Sequence, residues 1–123
     1  MSDVDVDFLQ RFSDAWNQHD IENLMSFMTD DCQFDTGGGP YPWGERHQGS
    51  KNVRERYEQV WIDIPDARWG NDQHFVSGDR GFSEWTIYGT TEEGSSIEVQ
   101  GCDVFTFQDG KIATKSTYLK NRT

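Results

Sequence analysis

Residues 101–112 read GCDVFTFQDGKI, and they carry the clearest structural signal in the chain. Up to the turn the stretch is rich in aromatic, β-branched and Thr residues, with Phe105 and Phe107 at alternating positions, which is typical of a strand with one buried face. The Asp109-Gly110 pair that follows is a hairpin signal, so a second strand should return antiparallel to the first. The stretch therefore predicts a β-hairpin whose buried face carries Phe105 and, on the same parity, Asp103.

The same alternation extends to both sides of this hairpin and covers the second half of the chain. Strand-like segments are separated by the turn signals Gly78-Asp79 and Glu92-Glu93-Gly94, so consecutive strands should form an antiparallel meander. The predicted strands cover residues 67–77, 81–90, 95–107 and 112–121.

Helical periodicity replaces alternation in the first half of the chain, with one short strand and a glycine-rich loop between the helices. Asp20 should cap the second helix and Ser50 the third, which should end before Pro65. The predicted elements are a helix over residues 3–17, a short helix through Met28, a strand over residues 32–36, a loop over residues 37–49 and a helix from residue 50. A helical first half followed by a meander in the second half predicts an α+β fold. We expect a cone in which a curved sheet wraps three helices.

Composition excludes several classes of function. The 123 residues are enough for one domain, over residues 1–123, and 22 acidic against 11 basic residues leave a net charge of −11. A nonspecific nucleic-acid binder needs a basic surface that this chain lacks, and anionic membrane surfaces are disfavoured for the same reason. The sequence shows no transmembrane run or signal peptide, so we expect a cytoplasmic protein. Five Trp, four Tyr and eight Phe predict a small aromatic core.

Asp103 is the leading candidate for chemistry because its parity places it inside the cone. Burial makes the charged form costly, so we expect a neutral acid that could donate a hydrogen bond to a developing oxyanion. A polar residue that merely bonds to a neighbouring strand is the alternative. Lys115 and Thr117 would share the cavity if Asp109-Gly110 carries a one-residue bulge, with Thr117 opposite Asp103. Without that bulge, Ser116 and every second residue on either side of it in the strand would face inward instead.

Asp35 is the candidate general base, at the end of the first strand and beside three glycines. Parity with Phe34 favours Thr36 inside the cavity and Asp35 outside, so solvated and catalytic interpretations of Asp35 both remain open. His47, with Trp43, is expected in a mobile loop over the cavity mouth, where it could act as a lid or a proton carrier.

Five further aromatic residues are expected to form the cavity walls or the core behind them. No metal site is expected, because the two Cys and three His residues have no ligand spacing. The aromatic candidates are Phe12, Trp16, Tyr57, Trp61 and Trp85.

The chain resembles the SnoaL-like and ketosteroid-isomerase-like domains of the nuclear transport factor 2-like superfamily. The resemblance rests on FLQRFSDAWNQHDIENLMSFMTDDCQF (residues 8–34), GERHQGSKNVRERY (residues 44–57) and GCDVFTFQDGKI, and it covers nearly the whole chain. It implies a cone-shaped α+β barrel with an internal pocket, and a homodimer formed through the outer sheet face.

The resemblance transfers functional residues only in part. Asp103 matches the oxyanion-hole acid of ketosteroid isomerases, but Phe12 stands where their tyrosine is and Thr36 where their base is. Thr117 stands where polyketide cyclases and limonene epoxide hydrolases of the superfamily look to keep an acid. Dehydratase-type members use a His/Asp pair, which here only His47 or His74 could supply.

Together these observations predict a cofactor-free proton-transfer enzyme of isomerase, cyclase or dehydratase type. Its partner would be a small hydrophobic carbonyl or hydroxyl compound. Asp103 and Asp35 would carry the chemistry, Lys115 and Thr117 would orient polar substrate atoms, and the aromatic residues would supply the walls. A domain that binds a small ligand without transforming it, or that only dimerises, is the alternative.

Overall fold

The computed structural model describes residues 4–123, which form three helices and a six-stranded sheet. The helices are α1 (Val6–Asn17), α2 (Ile21–Ser26) and α3 (Ser50–Asp63). The Asp5 carboxylate caps α1 by accepting the Phe8 N–H at 2.8 Å, and Asp20 caps α2 as predicted. Asp3, where the first helix was predicted to begin, lies outside the described residues.

The third helix begins differently from the prediction. Its N-cap is Gly49, at a φ of +85° that favours glycine. Ser50 is therefore the first helical residue and makes no capping hydrogen bond. The helix ends at Asp63, before Pro65 as predicted.

The strands form one sheet in the spatial order β2-β1-β6-β5-β4-β3. All neighbours are antiparallel except β1 and β6, which are parallel. The strands are β1 (Met28–Asp35), β2 (Arg46–Gln48), β3 (Arg68–Ser77), β4 (Arg80–Thr90), β5 (Ser96–Gln108) and β6 (Lys111–Leu119). The predicted α+β fold with its meander is confirmed, and the three-residue β2 inside the glycine-rich loop is an addition.

A bulge in β6 sets which of its side chains reach the interior. Asp109 and Gly110 form a tight turn with φ values of +54° and +76°. Thr106 pairs with Thr114 and Phe107 with Ile112, which leaves Ala113 without a partner on β5. The predicted one-residue bulge therefore exists, but at Ala113 rather than at the turn.

The core fills the space between the inner sheet face and the helices, and it is mainly aromatic. Phe12 on α1 meets Phe105 on β5 edge to face at 5.9 Å, and Trp16 meets Tyr57 of α3 at 4.7 Å. Edge-to-face pairs add to the stabilisation that comes from burying the rings. Both cysteines are free, and Cys32 is buried whereas Cys102 is partly exposed. None of the helices within residues 4–123 has the length and apolar character needed to cross a membrane.

Candidate functional site

A cavity of about 150 Å³ lies between the inner sheet face and helices α1 and α3. A cavity of this volume can accept a molecule the size of benzene. Its wall is mostly apolar, and the aromatic residues on it are Phe12, Trp16, Phe34, Trp69, Trp85 and Phe105.

One row of polar side chains crosses this wall, with one residue from each of four neighbouring strands. His74 of β3 pairs with Ser83 of β4, Ser83 with Asp103 of β5, and Asp103 with Thr117 of β6. All four residues line the cavity. Directly opposed residues on antiparallel strands have their Cβ atoms about 4.5–5.5 Å apart, so their polar groups can interact along the row.

Asp103 is buried, with 7% of its surface exposed, and both of its carboxylate oxygens accept hydrogen bonds. Trp85 Nε1 donates to Oδ2 at 3.0 Å, and Thr117 Oγ1 donates to Oδ1 at 2.6 Å. The Lys115 ammonium lies 4.0 Å from Oδ1. All three neighbours are hydrogen-bond donors, so the Asp103 oxygens act as acceptors in this arrangement.

Lys115 is nearly enclosed, and its Nζ lies over three aromatic rings. The ring centroids of Phe34, Tyr57 and Trp16 are 4.3, 4.6 and 4.9 Å away. Burial lowers the pKa of Lys115, and the charge of Arg56 lowers it further, while the Asp103 carboxylate opposes both effects. The aromatic faces attract the cation and hold it at the cavity wall.

His74 forms a hydrogen-bonded chain with Asp72 and Ser83. Its Nδ1 is 2.7 Å from Ser83 Oγ and its Nε2 is 3.1 Å from Asp72 Oδ2, to which Gln10 also donates at 2.9 Å. A carboxylate only accepts, so the network assigns the proton to Nε2 and leaves Nδ1 to accept from Ser83. Burial raises the pKa of Asp72, but hydrogen bonds from its own N–H, Gln10 and His74 outweigh it and lower the pKa overall.

A bulge in β3 brings Asp72 to this position. Asn71 has a φ of +55°, and the pairing with β4 shifts between Gly70 and Gln73. At this bulge the Asp72 carboxylate accepts a hydrogen bond from Gln10 of α1, and the backbone N–H of Trp69 donates to Asn17. Bulges re-aim side chains in this way next to functional sites.

Most of the predicted site residues lie on the cavity. The predicted pairs of Thr117 with Asp103 and of Lys115 with Phe105 are present. The predicted residues that line the cavity are Asp103, Phe12, Trp16, Thr36, Trp85, Lys115 and Thr117.

Asp35 does not reach the cavity. The prediction that it acts there as a general base is therefore wrong. Phe34 and Thr36 face inward, and alternation places Asp35 on the other side of β1. There Arg46 donates two hydrogen bonds to its carboxylate, at 2.9 and 3.1 Å. The pair is a structural link between β1 and β2.

The two aromatic residues expected at the cavity mouth lie elsewhere. His47 belongs to β2, opposite Phe34, and not to a mobile loop. It faces an outer groove and lies 3.3 Å from Glu45. Trp43 is 43% exposed and stacks on Tyr41, outside the cavity.

Tyr57 and Trp61 lie behind the wall and do not line the cavity. Tyr57 is fully buried, its ring supports Lys115, and its hydroxyl contacts Met28 Sδ at 3.8 Å. Trp61 packs on Trp16 with a centroid distance of 5.3 Å. Tyr57 is core and the partly buried Trp61 packs against the core, in agreement with the core interpretation of their helical spacing.

The sequence analysis missed Ser83 and Arg56 as cavity residues, and it named His74 only as one histidine that could supply a His/Asp pair. A two-residue turn at Gly78-Asp79 pairs Ser77 with Arg80, and counting back from it pairs His74 with Ser83. Arg56 lies on the helix face of Val53 and Val60, three and four residues away, where a charge is unexpected. Within residues 4–123, no three His, Cys, Asp or Glu side chains are placed to hold a metal ion.

The sequence model of one protein family, described as SnoaL-like domain, matches residues 9–115 of this chain. The chain belongs to the SnoaL-like domain family. Among curated proteins, none matches it significantly. The predicted resemblance is therefore confirmed, and this membership agrees with the cone fold described above.

Solved structures of SnoaL-like and related proteins share the fold at low sequence identity. A candidate polyketide cyclase from Pseudomonas putida KT2440 is 20% identical with a TM-score of 0.83, over 94% of this chain and 90% of that one. A protein of unknown function from Mesorhizobium loti, described as NTF2-like, is 27% identical with a TM-score of 0.76, over 94% and 89%. TerC, co-crystallised with polyporic acid, is 19% identical with a TM-score of 0.78, over 94% and 90%.

Proposed function

We propose that this SnoaL-like protein is a cofactor-free enzyme that transfers protons within a small hydrophobic carbonyl compound. The observation that carries the proposal is the pair of Asp103 and Lys115, a base and a cation 4.0 Å apart on the wall of an apolar cavity. The cavity volume of about 150 Å³ suits a compound built on a single ring.

The pair matches the geometry of a carbonyl group and its neighbouring carbon. An α-carbon and the carbonyl oxygen are two bonds apart, so one ketone can place its C–H near Asp103 and its oxygen near Lys115. Asp103 takes the proton, and the electron pair of the C–H bond becomes the enolate, whose oxygen charge Lys115 stabilises. Asp103 then returns the proton to another position of the same molecule. Thr117 and Trp85 keep the carboxylate in place.

His74 and Ser83 offer a second proton-transfer group on the same wall. A proton from a substrate hydroxyl can pass through the Ser83 hydroxyl to His74 Nδ1, and the Asp72 carboxylate stabilises the imidazolium that forms. The imidazolium can give the proton back later in the reaction. With Asp103 beside Ser83, protons can be taken and returned at two atoms of one substrate.

The relatives support a ring-shaped ligand. One structural neighbour is a candidate polyketide cyclase, and another was crystallised with polyporic acid. Both likenesses are below 25% identity, so they support the proposal only alongside the cavity itself.

Proton exchange tests the proposal without a known substrate. The protein is incubated in D₂O with single-ring ketones such as acetophenone and 4-acetylbenzoate, and ¹H NMR follows the loss of the α-proton signal. We expect exchange above the buffer background for at least one ketone that binds. Binding without any exchange would contradict the proposal.

Binding without catalysis is the second candidate function, and one observation favours it. Both oxygens of Asp103 accept hydrogen bonds from Trp85 and Thr117, so the carboxylate links β5 to both neighbouring strands. A bound ligand at about 100 times its dissociation constant stabilises a protein by about 2.7 kcal/mol, which thermal unfolding detects. A ligand that stabilises the protein and shows no exchange would support this function.

The homodimer implied by the resemblance remains a prediction. Phe75 and Tyr118 on the outer sheet face are 56% and 58% exposed, which is large for aromatic residues. Sedimentation equilibrium at micromolar concentration measures the oligomeric state directly. We expect a dimer that Phe75→Asp weakens, and a monomeric wild type would contradict the prediction.

A further inference from the structure

The charged groups of the cavity do not balance. Asp103 and Lys115 form one opposite pair on the cavity wall, whereas the Asp72 carboxylate bonds to His74 and does not line the cavity. Arg56 of α3 also lines the cavity, and no residue between 4 and 123 gives it an ion pair or a hydrogen-bond acceptor. Its Nη1 atom is buried and lacks a partner. Among the residues that line the cavity, Arg56 is therefore the one positive charge without a partner.

Arg80 also has no ion pair within residues 4–123, but it is exposed, whereas Arg56 has a buried nitrogen and borders the cavity. The chain has twice as many acidic as basic residues, 22 against 11. Arg11, Arg46 and Arg54 are each paired with a carboxylate, on Asp7, Asp35 and Glu22. Arg54 is only two residues from Arg56 on the same helix. Glu55 is the preceding residue in the chain, yet no carboxylate among the described residues lies within ion-pair distance of Arg56.

The position of Arg56 suits recognition of a ligand. It borders the internal cavity on one side and the outer groove near His47 on the other. Its charge reaches the interior, because it adds to burial in lowering the pKa of Lys115. A buried donor without an acceptor is unfavourable, and an acceptor on a ligand would remove that cost. Guanidinium groups bind carboxylates through two parallel hydrogen bonds.

We propose that Arg56 binds an anionic group, such as a carboxylate, on the compound that occupies the cavity. The substrate class is then a ring compound that carries both a carbonyl and an acid, with the acid at Arg56 beside α3 and the carbonyl at Lys115. The carbonyl part rests on the proposed function, whereas the acid part rests on the charge of Arg56. A turn of the Arg56 side chain about its methylene groups brings the guanidinium onto the carboxylate.

Benzoate and benzamide test this proposal, because they have nearly the same shape and differ in charge. Binding is measured by isothermal titration calorimetry and by the fluorescence of the cavity residues Trp16, Trp69 and Trp85. We expect benzoate to bind at least about tenfold more tightly than benzamide, as a charge-assisted hydrogen bond requires. Arg56→Gln should remove that preference, and Arg56→Lys should retain part of it.

Arg54→Gln is the matched control, since it removes one positive charge from the same helix outside the cavity. It should leave the benzoate preference unchanged. Equal binding of the two compounds, or a full preference in Arg56→Gln, would overturn the proposal. Benzamide binding alone would leave the proton-transfer function standing, whereas benzoate binding without ketone exchange would contradict only that function. Failure of both compounds to bind would reject a ligand site in the cavity.

Discussion

Replacing Asp103 by Asn is expected to reduce proton exchange from a bound ketone by about 100- to 10,000-fold. Asn keeps nearly the same shape and can still accept one hydrogen bond from Trp85 or Thr117, so the fold should survive. It cannot take up a proton as the carboxylate does. The measurement is the rate of α-proton loss in D₂O at saturating ketone, with thermal unfolding as the check on folding.

Asp35→Asn is the matched control for this prediction. Asp35 is as buried as Asp103, at 7% exposure, but it bonds to Arg46 on the other side of the sheet. The control should lose some stability and keep its exchange rate. Equal losses of exchange in both variants would point to a general structural effect, and an unchanged rate in Asp103→Asn would reject Asp103 as the base.

Replacing Phe105 by Ala is expected to lower the free energy of unfolding by about 3–5 kcal/mol. Phe105 is 1% exposed and its ring lies 5.9 Å from Phe12 and 6.1 Å from Phe107, so truncation leaves a hole in the centre of the core. Such a loss is a large share of the roughly 5–15 kcal/mol typical of a whole domain. Urea unfolding followed by tryptophan fluorescence measures it.

Ile62→Ala provides the comparison, because Ile62 is apolar but 68% exposed on α3. Its change in unfolding free energy should stay within about 0.5 kcal/mol. A cost for Phe105→Ala below about 1 kcal/mol would mean that the interior rearranges to fill the hole. The described packing of β5 against α1 would then be wrong.

Local periodicity explains why much of the fold could be predicted from the sequence. Strand alternation depends only on neighbouring residues, and it placed Asp103, Thr36 and Trp85 on the inner face. A short element such as β2 has no such signal, because three residues cannot show a period. Its position depends on pairing with β1, a contact between distant segments.

The site was predictable only where one strand was enough to define it. Lys115 and Thr117 needed a bulge, which the sequence allowed but could not locate at Ala113. His74 becomes functional through Ser83 on the next strand, and Asp72 reaches it because of a bulge at Asn71. Arg56 is a candidate ligand-binding residue because its buried Nη1 has no partner among the described residues, and only the three-dimensional structure shows this.

The bulge at Ala113 also bears on which changes in chain length the pocket can tolerate. Ala113 has no paired residue on β5 or on β1, while Ile112 and Thr114 on either side have partners on both strands. Deleting Ala113 would therefore keep every existing pair, with Lys115 and Thr117 still inside. A one-residue insertion or deletion between Thr114 and Thr117 would instead move the later residues of the strand to the opposite face of the sheet. Ala113 is therefore a position in β6 where a one-residue deletion would leave the cavity-facing residues unchanged.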